Sequence, residues 1–173
     1  MNIKTLCLGI LALGDASGYE IRKLVGEGQF SFFSDASYGS IYPALTKLTE
    51  DGLINYRSEN QEGRPDKKIY SLTDRGRTEL EETLDKAPAP DKNKSDFLAS
   101  LLFAEAIHPE RLEDMIKDRL AQHEAEIQGL EAQLTAAQND QQSTSATRFV
   151  LGYGLALQRA ARDYLKTWPV KTA

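Results

Sequence analysis

The chain has 173 residues, a net charge of −5, 40% hydrophobic and 27% charged residues. That is enough for one ordinary domain or two small ones, and it excludes both a disordered tail and a polycation that coats nucleic acid. No run reaches the roughly 18 apolar residues of a membrane span. A single cysteine excludes an internal disulfide or a multi-cysteine metal site. The two histidines, His108 and His123, supply no metal-ligand spacing, so neither metal nor cofactor is expected.

The apolar stretch Leu6 to Leu13 follows Lys4 and has the look of a short secretory signal. Ile3, Leu6, Ile10 and Leu13 nevertheless recur at helical spacing, and Asp15 stands where a cleavage site needs small neutral residues. The spacing therefore predicts an amphipathic helix over 2–14, with Cys7 buried in it, in a protein of the cytoplasm. A second helix opens at Ser17, where Ser17 and Glu20 form a capping box. Tyr19, Ile21, Leu24 and Val25 give it an apolar face, and Gly26 and Gly28 weaken its end. Phe30 to Phe33 reads as a turn packed on the core. In the third helix Ile41, Leu45 and Leu48 make one buried stripe, and Gly52 stands where a left-handed cap is needed. Pro43 conflicts with that helix: either the regular part starts at Ser40, or it starts at Ser37 and is distorted.

Two strands are predicted over Leu53–Ser58 and Lys67–Leu72, joined by a long polar tip with Gly63 and Pro65. Thr73 caps a helix running from Asp74 to about Lys86. Ala87-Pro88-Ala89-Pro90 is a boundary, since two prolines in four residues favour an extended spacer. Beyond it the pattern is helical over 96–106, from Pro109 to about Asn139, and from Ala146 to Trp168, with a polar turn over 139–146. The expected organisation is a domain over 1–86, a linker over 87–94 and a helical domain over 95–173.

Three helices, a two-stranded hairpin and a helix define a winged helix-turn-helix, in which the third helix is free to enter a major groove. Ser40, Ala44 and Lys47 are expected on the face opposite Ile41, Leu45 and Leu48, a small, polar surface with one cation. Hydroxyls there can bond bases or phosphates.

Longer segments carry a resemblance. Tyr38-Gly39-Ser40-Ile41-Tyr42-Pro43-Ala44-Leu45-Thr46-Lys47-Leu48, ending in Glu50-Asp51-Gly52-Leu53-Ile54, resembles the recognition-helix signature of the PadR family of transcriptional regulators. Gly18-Tyr19-Glu20-Ile21, the wing's Gly63-Arg64-Pro65, and Tyr70-Ser71-Leu72-Thr73-Asp74-Arg75-Gly76 resemble further blocks of that family, in its order and spacing. Pro43 belongs to the signature. The resemblance implies a mainly α fold with a small β-hairpin wing: an N-terminal winged helix-turn-helix and a C-terminal helical dimerisation domain, here of the larger kind. It implies DNA contacts from Ser37, Tyr38, Ser40, Tyr42 and Lys47 on the third helix, although Tyr42 is equally read as core. Tyr19 would meet a phosphate at the start of the second helix, whose N–H groups favour anions. Arg64 would reach phosphates or the minor groove, with Lys67 and Lys68 at the base of the wing.

In the C-terminal half, Leu120 is among the apolar positions, and from His123 through Ile127, Leu130, Leu134 and Ala137 runs a heptad seam too narrow to be a globular core. The last helix offers Phe149, Val150, Tyr153, Leu157, Ala161, Tyr164 and Trp168. A twofold dimer would bury such surface and present two recognition helices to a palindromic operator. Leu120, Ile127, Leu130, Leu134, Phe149, Tyr153, Leu157 and Tyr164 are therefore the expected dimer residues. His123 reads as a packed polar residue. Some members of the family respond to phenolic compounds, which implies a small aromatic effector between the two domains. Phe97, Phe103, Tyr153 and Trp168 are the candidates to line such a pocket, although each, taken singly, reads first as plain core.

The reading is thus a homodimeric DNA-binding regulator of transcription, a repressor released by an effector. The alternative is a winged-helix module that binds protein. An enzyme is not expected, since Gly26-Glu27-Gly28 and Gly152-Tyr153-Gly154 lack the strand context of a phosphate loop, and no nucleophile elbow is present. Residues 1–86 hold eleven Lys and Arg against fourteen Asp and Glu, a net −3, so a strongly basic footprint is missing. The expected outcome is a shallow dependence of DNA affinity on salt, measured by titration from low to physiological ionic strength; a steep slope contradicts it.

Overall fold

The computed structural model describes residues 1–27, 30, 38–61, 64–90, 94–141 and 143–168. Backbone contacts divide the chain into two compact units, Met1–Asp91 and Lys92–Ala173. In the first unit the order is α1 (Ile3–Leu13), β1 (Ala16–Ser17), α2 (Gly18–Glu27), α3 (Tyr38–Glu50), β2 (Ile54–Gln61), β3 (Arg64–Leu72) and α4 (Asp74–Leu84). The second holds α5 (Asp96–Leu101), a 3₁₀ turn over Ala104–Ala106, α6 (Pro109–Asn139) and α7 (Ser145–Leu165).

Helix α1 is a core element. Leu6, Cys7, Leu8, Ile10 and Leu11 are buried against Ile21, Val25, Ile41, Leu45, Leu48, Ile54 and Leu80. Burial holds the Cys7 thiol up at about 11, so it stays protonated and unreactive at neutral pH. Among the described residues no helix is long and apolar enough to cross a membrane. Phe30 lies in a turn and packs partly buried on the core; Ser31 to Phe33 lie outside the described residues.

The helix ends follow from side-chain chemistry. At α1 Asn2 accepts from the Thr5 N–H at 2.9 Å, and at α4 Thr73 accepts from the Gly76 N–H at 3.0 Å. Helix α3 closes on a Schellman turn: the Leu53 N–H donates to the Leu48 carbonyl (2.9 Å) and the Gly52 N–H to that of Thr49 (3.0 Å). Gly52 has φ 68°, the left-handed region that glycine alone enters cheaply. Pro43 sits inside α3, which is helical from Tyr38. Of the two starts the sequence left open, the earlier one is closer, with Ser37 itself outside the described residues.

The sheet has three antiparallel strands in the order β1-β3-β2. Ala16 pairs with Tyr70 and Ser17 with Ile69, a strand the sequence pattern did not reveal. The hairpin arms also run further than expected, to Gln61 and from Arg64, because backbone pairing carries polar residues along. In the second unit α5 ends at Leu101 where a helix to Ala106 was expected, and α7 stops at Leu165, short of Trp168.

Gly76 in α4 lies directly on the Leu53 carbonyl: a Cβ added there would come 2.0 Å from Leu53 O. The contact docks α4 onto the start of the wing, and neither backbone can give way. Gly76→Ala is expected to destabilise the protein by about 3 kcal/mol, the upper end of overpacking costs, and Gly52→Ala by about 1–2 kcal/mol. Urea denaturation followed by circular dichroism checks both; equal midpoints for wild type and Gly76→Ala would contradict the packing.

Candidate nucleic-acid interface

The face of α3 turned away from the core is set by helical geometry. Ile41, Ala44, Leu45 and Leu48 are buried, while Tyr42, Pro43, Thr46, Lys47 and Glu50 are exposed. Ala44 was expected outside. It falls about 60° from Ile41 at 3.6 residues per turn, which leaves it inside the buried arc. Thr46 was missed; it projects outward one turn after Tyr42, and its hydroxyl donates to the Tyr42 carbonyl at 3.1 Å. The same helical angles, carried beyond the Ile41–Leu45–Leu48 stripe, would have found it.

Tyr42 is both exposed and packed. Its ring is half exposed. It also lies against Gly18 so closely that a Cβ there would meet Cε1 at 2.8 Å. Glycine at the start of α2 therefore lets α3 and α2 approach. Tyr19, one residue on, is exposed, with the Arg22 guanidinium 5.9 Å from its ring centre. Ser40 is half-buried. Ser37 lies outside the described residues, and Tyr38 and Arg64 are placed by their backbones at the starts of α3 and β3.

Several of the cations are held by carboxylates. Lys47 Nζ lies 2.8 Å from Asp51 and 3.6 Å from Glu50, and Asp51 also faces Lys4 at 3.7 Å. The hydrogen bond to Asp51 raises the Lys47 pKa, so it carries its charge throughout the physiological range. Arg57 pairs with Asp15, and Lys67 with Glu20 at 3.1 Å. Lys68, on the opposite face of β3 from Lys67, lies 4.4 Å from the centre of the Tyr56 ring, which in turn stands beside Tyr70.

The predicted capping box at α2 is present. Glu20 Oε2 accepts from the Ser17 N–H and from its hydroxyl, each at 2.7 Å, and the Ser17 oxygen accepts from the Glu20 N–H at 3.2 Å. The backbone bond from Ser17 and the bonds from its hydroxyl and Lys67 hold the Glu20 carboxyl down at about 2.

In the second unit α6 and α7 pack together as an antiparallel pair. Ile116, Ile127 and Leu130 are buried on α6, and Leu151, Gly154, Leu155 and Leu165 on α7. Of the expected dimer residues, Ile127 and Leu130 thus lie within the pair, and Leu120 and Leu134 are half-buried. Phe149, Tyr153, Leu157 and Tyr164 form an exposed apolar stripe on the other side of α7. His123 Nδ1 donates to Gln158 Oε1 at 2.6 Å, and Arg159–Glu131 and Arg162–Glu124 pairs flank it. Among the expected effector residues, Phe97 is covered by Arg119, 4.7 Å from its ring centre. Phe103 lies in an open hollow lined by Leu101 to Ala106, to which Phe97, Tyr153 and Trp168 do not contribute.

Helix α3 shown outward from a three-helix core, with a hairpin directly after it, makes the first unit a winged helix-turn-helix. Residues 7–82 match the Transcriptional regulator PadR-like family, and residues 93–168 match the family described as Virulence activator alpha C-term. The chain is 31% identical over 159 residues to the Negative transcriptional regulator PadR of Bacillus subtilis (strain 168), covering 91% of this chain and 87% of that protein. Among solved structures it is similar to smu.1604c from Streptococcus mutans UA159, at 35% identity and TM-score 0.88, over 96% and 97% of the two chains. It is also similar to Bacillus subtilis PadR in complex with operator DNA, at 28% identity and TM-score 0.80, over 95% and 94%. The same Bacillus protein in complex with p-coumaric acid matches at 27% identity and TM-score 0.72, over 95% and 92%. The chain belongs to the PadR family of transcriptional regulators.

Glu20 fixes a sign for acid stability. Its folded pKa of about 2 lies below the ordinary 4.5, so its contribution is complete above pH 4.5 and is lost as pH falls toward 2. Carboxyl carbon NMR is expected to show Glu20 titrating near 2. A midpoint near 4.5 would mean that the capping box does not persist in solution.

Proposed function

We propose that this protein is a homodimeric, sequence-specific DNA-binding repressor of the cytoplasm, without enzymatic activity, released from a palindromic operator by a small aromatic effector. The observation that carries the reading is the exposed outer face of α3, in a chain 28% identical over nearly its whole length to a PadR solved on operator DNA. Residues 1–86 act as the DNA-binding domain, 87–94 as the linker and 95–173 as the dimerisation domain.

On this reading α3 enters the major groove with Ser40, Tyr42, Thr46 and Lys47 toward base edges and phosphates, and Ser37 and Tyr38 at its leading end. Tyr19 meets a phosphate beside α2. Arg64 and Lys68 bring the wing to the backbone. Two such units on a twofold dimer read two half-sites, and occupancy of the promoter excludes polymerase. The exposed stripe of Phe149, Tyr153, Leu157 and Tyr164 supports the dimer assignment, since apolar side chains of this size in a row on one helix need cover. The effector is supported by the p-coumaric acid complex of the Bacillus relative. An effector acts by favouring one spacing of the two recognition helices over another.

Selection of bound duplexes from a random pool is expected to return an inverted repeat with half-sites about one helical turn, or a multiple, apart. Lys47→Ala and Arg64→Ala are expected to weaken binding of that duplex by about tenfold or more. Failure of the wild type to bind any duplex, including the one upstream of its own gene, sinks the reading. In sedimentation, Leu157→Asp is expected to turn a dimer into monomers at micromolar concentration. A wild-type monomer there would remove the dimer.

A further inference from the structure

We infer that Glu20 is a positioning residue for DNA recognition: its carboxylate ties the start of α2 to the base of the wing through Lys67, so that Lys67 acts by holding the wing and not by meeting a phosphate. The inference rests on the DNA-binding reading and gives Lys67 a different part in it. One carboxylate joins two elements: Oε2 takes both donors of Ser17, and Oε1 accepts from Lys67 Nζ at 3.1 Å. Ser17 is itself in β1, paired with Ile69 of β3, two residues from Lys67. Side chains two apart on a strand share a face, so Lys67 and Ile69 point the same way, and Ile69 is buried. Lys67 is partly buried as well, with 32% of its side chain accessible.

A two-residue strand fixes little alone. Here the β1–β3 ladder, the capping box and the Glu20–Lys67 pair meet at one point, where the helix that carries Tyr19 and packs on Tyr42 joins the strand that leads to Arg64. The angle between recognition helix and wing is set there. A phosphate bound by Lys67 would have to share it with, or displace, a carboxylate whose other oxygen is fixed by Ser17.

The test is a cycle of Glu20→Gln, Lys67→Gln and the double variant in the full chain, with duplex affinity measured against salt. Glutamine preserves a capping box, so Glu20→Gln removes the charge and leaves the helix start. Each single variant is expected to weaken binding about two- to fivefold, the double variant no further, and the salt slope to stay that of the wild type. Tighter binding by Glu20→Gln, or a slope lowered by about one in Lys67→Gln, would assign Lys67 to a phosphate and overturn the inference. Hydrogen exchange judges it without DNA: the amides that bond β1 to β3 are expected to exchange faster in both single variants, and unchanged exchange there overturns it. If the wild type binds no duplex, the DNA reading falls and the exchange data still decide whether the tie exists.

Discussion

Burial of one stripe of α3 is the constraint on which the rest of the winged unit depends. Ile41, Leu45 and Leu48 are wholly removed from solvent against α1 and α2. Each such side chain contributes roughly 1.5–3 kcal/mol relative to exposure. A helix held so firmly on one side has its other side chosen for it: Tyr42, Thr46 and Lys47 face outward because Ile41, Leu45 and Leu48 cannot. The Schellman turn at Gly52 then ends the helix and brings Leu53 beneath α4. The wing starts one residue later, at Ile54, itself fully buried. Recognition helix and wing are thus anchored in one core by residues almost adjacent in sequence.

Much of this was legible before the fold, where the signal was local. A capping box needs two residues three apart, and Ser17 with Glu20 supplied them. A left-handed cap needs a glycine after an apolar stripe, and Gly52 stood there. What was hidden depended on distant partners. Ala16 and Ser17 form a strand only because Tyr70 and Ile69 lie beside them, and nothing in a two-residue segment announces that. Ala44 is small enough to suit either face of α3; its place follows from an angle, not from its chemistry.

The last helix shows the same limit from another side. Helix α7 has two apolar stripes, one of leucines with Gly154 and one rich in aromatics. The aromatic stripe was assigned to a dimer, and within the chain it is the leucine stripe that faces α6. Helices pack with axes about 8–10 Å apart, and small and aliphatic side chains meet that spacing more readily than tyrosine and phenylalanine. The polar His123–Gln158 pair sits on the same side, inside the seam of α6. Which stripe is used within the chain is a question of fit that periodicity does not answer. The sequence also could not separate a cation that is free to meet a phosphate from one already engaged.

That distinction bears on how an acidic winged helix recognises DNA. Lys47, Arg57 and Lys67 each have a carboxylate within reach, and two of the three ion pairs join segments far apart in sequence. A phosphate approaching such a cation shares it with a carboxylate already in place or takes it in exchange, so the gain is smaller than for a cation with no acidic neighbour. Nonspecific affinity, which is almost all phosphate attraction, is reduced most by this exchange. Contacts to base edges, wherever a winged helix makes them, do not pass through this exchange. A protein that balances its cations in this way gives up strength on every sequence and keeps discrimination on one, and doubling the weak unit in a dimer multiplies the discrimination along with the affinity.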